Sequence, residues 1–219
     1  MNSMPKTTLS TNYTTVAKTL HWLIAFAIVA MLIVGWTMTN LPKDSSYKYP
    51  LFQWHKSIGI TILLLSIFRL VWRLTHPAPP LPAAMPGWEK LAARATHVLF
   101  YVLIIGMPLT GWAIVSVSPL NLPTILYGGI SWFRDIPWLY GGIPWPHLPV
   151  LPDLEPISKK QIGHTLGDIH GLGAYVLAGL LVLHVAAAHK HHWIDRDDVL
   201  TRMAPGPIAR LLDRMRGMK

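Results

Sequence analysis

The chain has 219 residues, 52% hydrophobic and only 13% charged, with a mean hydropathy of +0.37. Soluble domains carry roughly 25% charged residues, so this composition excludes an ordinary soluble domain and points to a membrane protein. The absence of cysteine excludes disulfides, thiolate-held clusters and thioether attachment of a cofactor, and the formal charge of +9 lies beside apolar runs, as at a membrane surface rather than a nucleic-acid interface.

The first twenty residues lack the order of a cleaved signal peptide, and the first apolar run is long enough to remain as a span. That span is expected over about 16–38, with His21 near its start and Gly35 near its end. A second follows over about 52–74, carrying His55, Lys56 and Arg69. The proline-rich segment from His76 to Gly87 cannot continue a helix and reads as a connector. The third span, about 88–117, holds His97, Pro108 and Gly111. Residues 118–161, rich in proline and tryptophan, suit an interfacial cap, with Trp132, Trp138 and Trp145 as anchors. The fourth span, about 164–193, holds His170 and His184 and ends in a basic HKHH run, read as interfacial. The tail, 195–219, ends in a short basic amphipathic segment suited to the membrane surface. The expected fold is therefore all-α, one domain, a bundle of four transmembrane helices. Lysine and arginine favour both termini on the cytoplasmic side, 13 against 6 of the 19.

Placing each span by this topology reveals one interval. Gly35 follows His21, Arg69 follows His55, Gly111 follows His97 and His184 follows His170, each by 14 residues. Fourteen residues are nearly four helical turns, about 21 Å of rise, so each pair shares a helix face at two depths of an apolar layer about 30 Å thick. The outer level collects His55 and His170; the inner level collects His21, His97 and His184, with Arg69 beside them. Histidine inside a span is costly unless satisfied, and two stacked metal centres satisfy several at once. Haem bound by two imidazoles per iron fits, and without cysteine it is held non-covalently, as haem b. Gly35, Gly59 and Gly111 read either as close-packing positions or as notches for a porphyrin. Arg69 reads either as a partner for a haem propionate or as an interfacial snorkelling residue. His97 remains open as an inner ligand in place of His21, a quinone partner or a hydrogen-bonded histidine. A transporter with histidine proton sites is the non-redox alternative.

The segments TLHWL, FQWHKSIGITILLLSIFRLVWRLTHPAPP, ATHVLFYVLIIGMPLTGW, IHGLGAYVL with LHVAAA, and RDDVLTRMAP resemble the bacterial cytochrome b561 family. This resemblance runs from about Tyr13 to Pro205. It implies a small di-haem protein of the bacterial inner membrane, with iron ligands at His21, His55, His170 and His184, and it removes His97 from the ligand set. It also implies electron exchange with ubiquinone, and superoxide oxidase activity in at least some members. In this reading Lys56, with Lys159 and Lys160, gives the outer face a positive field for superoxide or another small periplasmic donor. His97, of ordinary pKa near 6.5, is the candidate to deliver protons for quinone reduction. The connection 118–161 is longer than the family's usual version, which leaves a second reading: a cytochrome b subunit that docks a redox protein partner on its outer cap.

Overall fold

In a computed structural model, residues 12–119, 123–128, 141–149 and 155–217 are described. Of the expected cap, Trp132 and Trp138 lie outside them. Among the described residues, four helices are long and apolar enough to cross a membrane: α1 (Thr15–Asn40), α2 (Lys48–Thr75), α3 (Gly87–Val117) and α4 (Pro156–Trp193). Two short strands, β1 (Thr124–Leu126) and β2 (Ile143–Trp145), lie between α3 and α4, and α5 (Val199–Met203) and α6 (Gly206–Met215) follow.

Local chemistry sets the helix ends. Thr14 caps α1, its hydroxyl accepting from the Ala17 N–H at 3.2 Å. α2 stops at Thr75 because His76 precedes Pro77 and is extended. α3 follows Pro86 and runs through Pro108, which has no N–H to give to the ladder. α4 starts at Pro156 rather than near His164, since proline's missing N–H costs nothing in a first turn. Its 38 residues rise about 57 Å, well beyond the apolar layer, so residues 156–161 form its outer turns rather than part of the cap.

α1 packs on α2, α2 on α3, and α3 on α4, while α4 stands off from α1 and α2. The centre is an aliphatic cluster of Ile24, Ile28, Ile62, Ile104 and Leu177. Ile28, Ile62, Ile104 and Leu177 each lie midway along one of the four 14-residue intervals, so this dry layer separates the two histidine levels. Large apolar side chains such as Phe26, Trp36, Leu74 and Tyr175 face outward, as lipid rather than water requires.

At the outer end, β1 pairs antiparallel with β2 in the register Thr124↔Trp145 and Leu126↔Ile143. The ribbon is pinned to α3 by the Trp112 indole, which donates to the Pro146 carbonyl at 2.8 Å. At the inner end, the Trp22 indole donates to the Met203 carbonyl (3.1 Å) and Lys18 to the Ala204 carbonyl (3.3 Å). These bonds hold the chain after α4 against the start of α1.

Candidate functional site

The structure brings the histidines together at two levels. At the outer level the rings of His55 on α2 and His170 on α4 have centres 6.1 Å apart. At the inner level His184 on α4 lies 6.2 Å from His21 on α1 and 6.0 Å from His97 on α3. Two imidazoles on opposite sides of one metal, each nitrogen about 2 Å from it, place their ring centres roughly 6 Å apart. All three separations meet that distance, so distance alone does not choose between His21 and His97.

The helices that carry them pack differently against α4. α3 lies directly against α4, and Phe100 on α3 fills the space beside His184 with ring centres 5.2 Å apart. α4 stands off from both α1 and α2, the helices carrying His21 and His55. A flat macrocycle needs such a gap.

The surroundings of the outer pair suit a metal. Nδ1 of His55 is buried without a hydrogen-bond partner, an arrangement that costs on the order of 1–3 kcal/mol unless something binds there. Nδ1 of His170 lies 3.0 Å from the Thr110 hydroxyl, which itself donates to the Met107 carbonyl. Thr110 therefore accepts from Nδ1–H and leaves Nε2 of His170 with its lone pair, the second contact that orients a ligating imidazole. A Cβ added at Gly35 would sit 3.2 Å from Cε1 of His55, and one at Gly111 3.3 Å from Cε1 of His170. Both glycines thus leave room at the outer rings. Gly59 faces Met31, at an ordinary 3.5 Å, and is a helix-packing position.

At the inner level Arg69 donates to the Ala17 carbonyl at 2.7 Å and lies 3.4 Å from Nδ1 of His21. Lys56, on the turn of His55, donates to the Pro123 carbonyl at 3.2 Å, next to the ribbon. Lys159 and Lys160 stand on the first turn of α4, about 15 Å along the helix from His170.

Several neighbours were not legible in the sequence. Tyr127, in left-handed backbone (φ 56°), donates its N–H to the Ser57 hydroxyl at 3.0 Å, and its own hydroxyl lies 2.5 Å from that of Thr61. It closes the outer end of α2, a contact with no local pattern to announce it. The HKHH run, read as interfacial, is more built than that. His192 is completely buried, and His191 contacts Asp197 at 2.7 Å. Glu89, His191 and Asp195 converge like metal ligands, but Lys190 already bridges both carboxylates at 2.7 and 2.8 Å. The cause is the turn after α4, which folds the acidic residues back onto the helix end.

Comparison with known proteins agrees with this architecture. The model of the family described as prokaryotic cytochrome b561 matches residues 12–206. The chain is 31% identical over 192 residues to cytochrome b561 homolog 2 of Escherichia coli (strain K12), covering 87% of this chain and 90% of that protein. It is 28% identical over 190 residues to cytochrome b561 homolog 1 of the same organism, covering 85% and 93%. It is also 28% identical over 189 residues to the probable superoxide oxidase CybB of Yersinia pestis, covering 85% and 92%. A match that takes in all four apolar helices and all five histidines of the two levels leads to one conclusion: the chain belongs to the prokaryotic cytochrome b561 family and is a haem-b membrane protein of electron transfer.

Proposed function

We propose that the chain is a superoxide:ubiquinone oxidoreductase of the bacterial inner membrane, with both termini cytoplasmic. The observation that carries this reading is the repeated arrangement of imidazole pairs about 6 Å apart on either side of an aliphatic layer. His55 and His170 would hold an outer haem b, His21 and His184 an inner one. Bound haem supplies one-electron redox chemistry between donor and quinone. In the net reaction two superoxide ions leave as dioxygen, and ubiquinone takes the two electrons with two protons.

The chain's own residues supply the rest. Thr110 fixes the tautomer and orientation of His170. The Lys56 ammonium, held at the outer end, attracts an anionic donor. His97 faces His184 without standing across a helix gap, which suits a proton carrier beside the inner level rather than a ligand. The similarity to a probable superoxide oxidase supports superoxide as the donor.

The test is to supply superoxide to the purified protein and follow haem reduction and quinol formation across a salt series. The rate should fall as the Debye length shrinks from about 10 Å at 0.1 M to about 3 Å at 1 M salt. Lys56→Ala should slow it several-fold at low salt and little at high salt. Failure of superoxide to reduce the haem would remove the activity. A rate indifferent to salt and to Lys56→Ala would leave the activity but remove the steering.

The glycine gaps give a second expected outcome. Gly111→Leu pushes a side chain into the His170 ring, and overpacking of this kind costs about 1–3 kcal/mol. It should lower outer-haem content or alter its low-spin spectrum, whereas Gly59→Ala should change neither. Identical spectra for the two variants would show that Gly111 gives the outer ring no needed space.

A further inference from the structure

Beside the inner level lies a cavity of about 20 Å³, lined by Tyr13, Arg69, Trp72, Arg73 and Tyr101 among others. Such a volume admits one water or a group of similar size. Its polar side chains are two guanidiniums, two phenols, the Trp72 indole and the His76 imidazole, and no carboxylate is among the lining residues. Among the described residues, neither Arg69 nor Arg73 has a carboxylate within ion-pair distance. The Tyr101 hydroxyl is buried, next to Arg69, without a hydrogen bond of normal geometry. Two guanidiniums and a buried, unpaired phenol gathered around a small space without a carboxylate suit an anionic oxygen group.

Arg69 indicates which anion. A guanidinium only donates, so its contact with Nδ1 of His21 uses the lone pair of the tautomer whose proton is on Nε2. Ligation of iron through Nε2 reverses that tautomer and releases Arg69, which already borders the cavity. Building on the two-haem reading above, we infer that Tyr101, Arg69 and Arg73 form the seat for a propionate carboxylate of the inner haem, with Tyr101 as a positioning donor that sets that haem's potential. A phosphate of a bound anionic lipid has the same chemistry and is the competing source.

The experiment uses the full-length protein and the variants Tyr101→Phe and Arg73→Gln. Haem is first counted by pyridine haemochrome, and then each haem is titrated spectroelectrochemically, with His170→Ala marking the inner signal. Loss of a proton donor or positive charge leaves more negative charge near the iron and favours its ferric form. Both variants should keep two haems. At a fixed potential each should show a several-fold fall in the ratio of reduced to oxidised inner haem, with the outer haem unmoved. Two haems with unmoved potentials in both variants would overturn the inference. So would unmoved potentials combined with loss, in Tyr101→Phe, of a stabilisation seen in phosphatidylglycerol vesicles but not in phosphatidylcholine ones, which would assign the cavity to lipid phosphate. Fewer than two haems in the parent chain would remove the two-haem reading itself, and the inference with it.

Discussion

His170→Ala should leave one haem per chain where the parent protein should hold two, and the remaining one should be the inner. The outer imidazoles are an isolated pair, with ring centres 6.1 Å apart and no third histidine paired with either ring among the described residues. Alanine at position 170 therefore leaves His55 without a second ligand, and its buried Nδ1 stays unpaired. The protein should also unfold more readily, because a group that binds only the native state stabilises it by about 4 kcal/mol at a thousandfold excess over its dissociation constant. Pyridine haemochrome analysis alongside thermal unfolding reads both effects. Unchanged haem content in His170→Ala would remove the outer assignment, and a variant that loses both haems must be checked against Thr110→Val, which keeps the ligand and removes only its orienting hydroxyl.

The inner level should behave differently, because three imidazoles meet there. His21→Ala should abolish the inner haem. His97→Ala should retain both haems while slowing quinone reduction, on the order of 10²-fold if His97 is the proton donor. The prediction rests on packing rather than distance. The His97 and His184 rings are as close as a ligand pair, but their helices lie against each other, and Phe100 packs beside His184. Loss of the inner haem in His97→Ala, with its retention in His21→Ala, would exchange the two roles. Retention of both haems with full quinone turnover would leave His97 as a packing residue.

Much of the fold was legible because membrane helices advertise themselves. Apolar runs of span length, with the proline-rich segment 76–87 closing the second and preceding the third, locate helices without knowledge of their neighbours. The 14-residue interval was equally visible, since a helix converts spacing into depth and face. Which histidines meet across the bundle was constrained in the residues by depth alone, so the inner level kept three candidates, and only the family resemblance set His97 aside. Tyr101, Thr110 and Tyr127 were invisible for a related reason. Each matters through a contact at least 30 positions away in sequence, and a tyrosine or threonine in a span carries no signal of its own. The turn that folds Asp195 and Asp197 back onto Lys190 and His191 was missed because a run of charged residues reads as solvated until its backbone path is known.

On the proposed route, the aliphatic layer would also make electron transfer sensitive to voltage. Within a turn of Ile28, Ile62, Ile104 and Leu177 there is no carboxylate, amine, guanidinium or imidazole. Charge passing between the two levels therefore crosses a medium that polarises little in response. The levels are about 21 Å apart along each helix, roughly two-thirds of the apolar thickness, so most of the transmembrane field falls between them. Moving one charge across the whole membrane changes its energy by about 2.3 kcal/mol per 100 mV. An electron carried inward across this layer against an inside-negative potential would meet roughly 1.5 kcal/mol of that, so an energised membrane would hold electrons back at the outer level and a depolarised one would let them through.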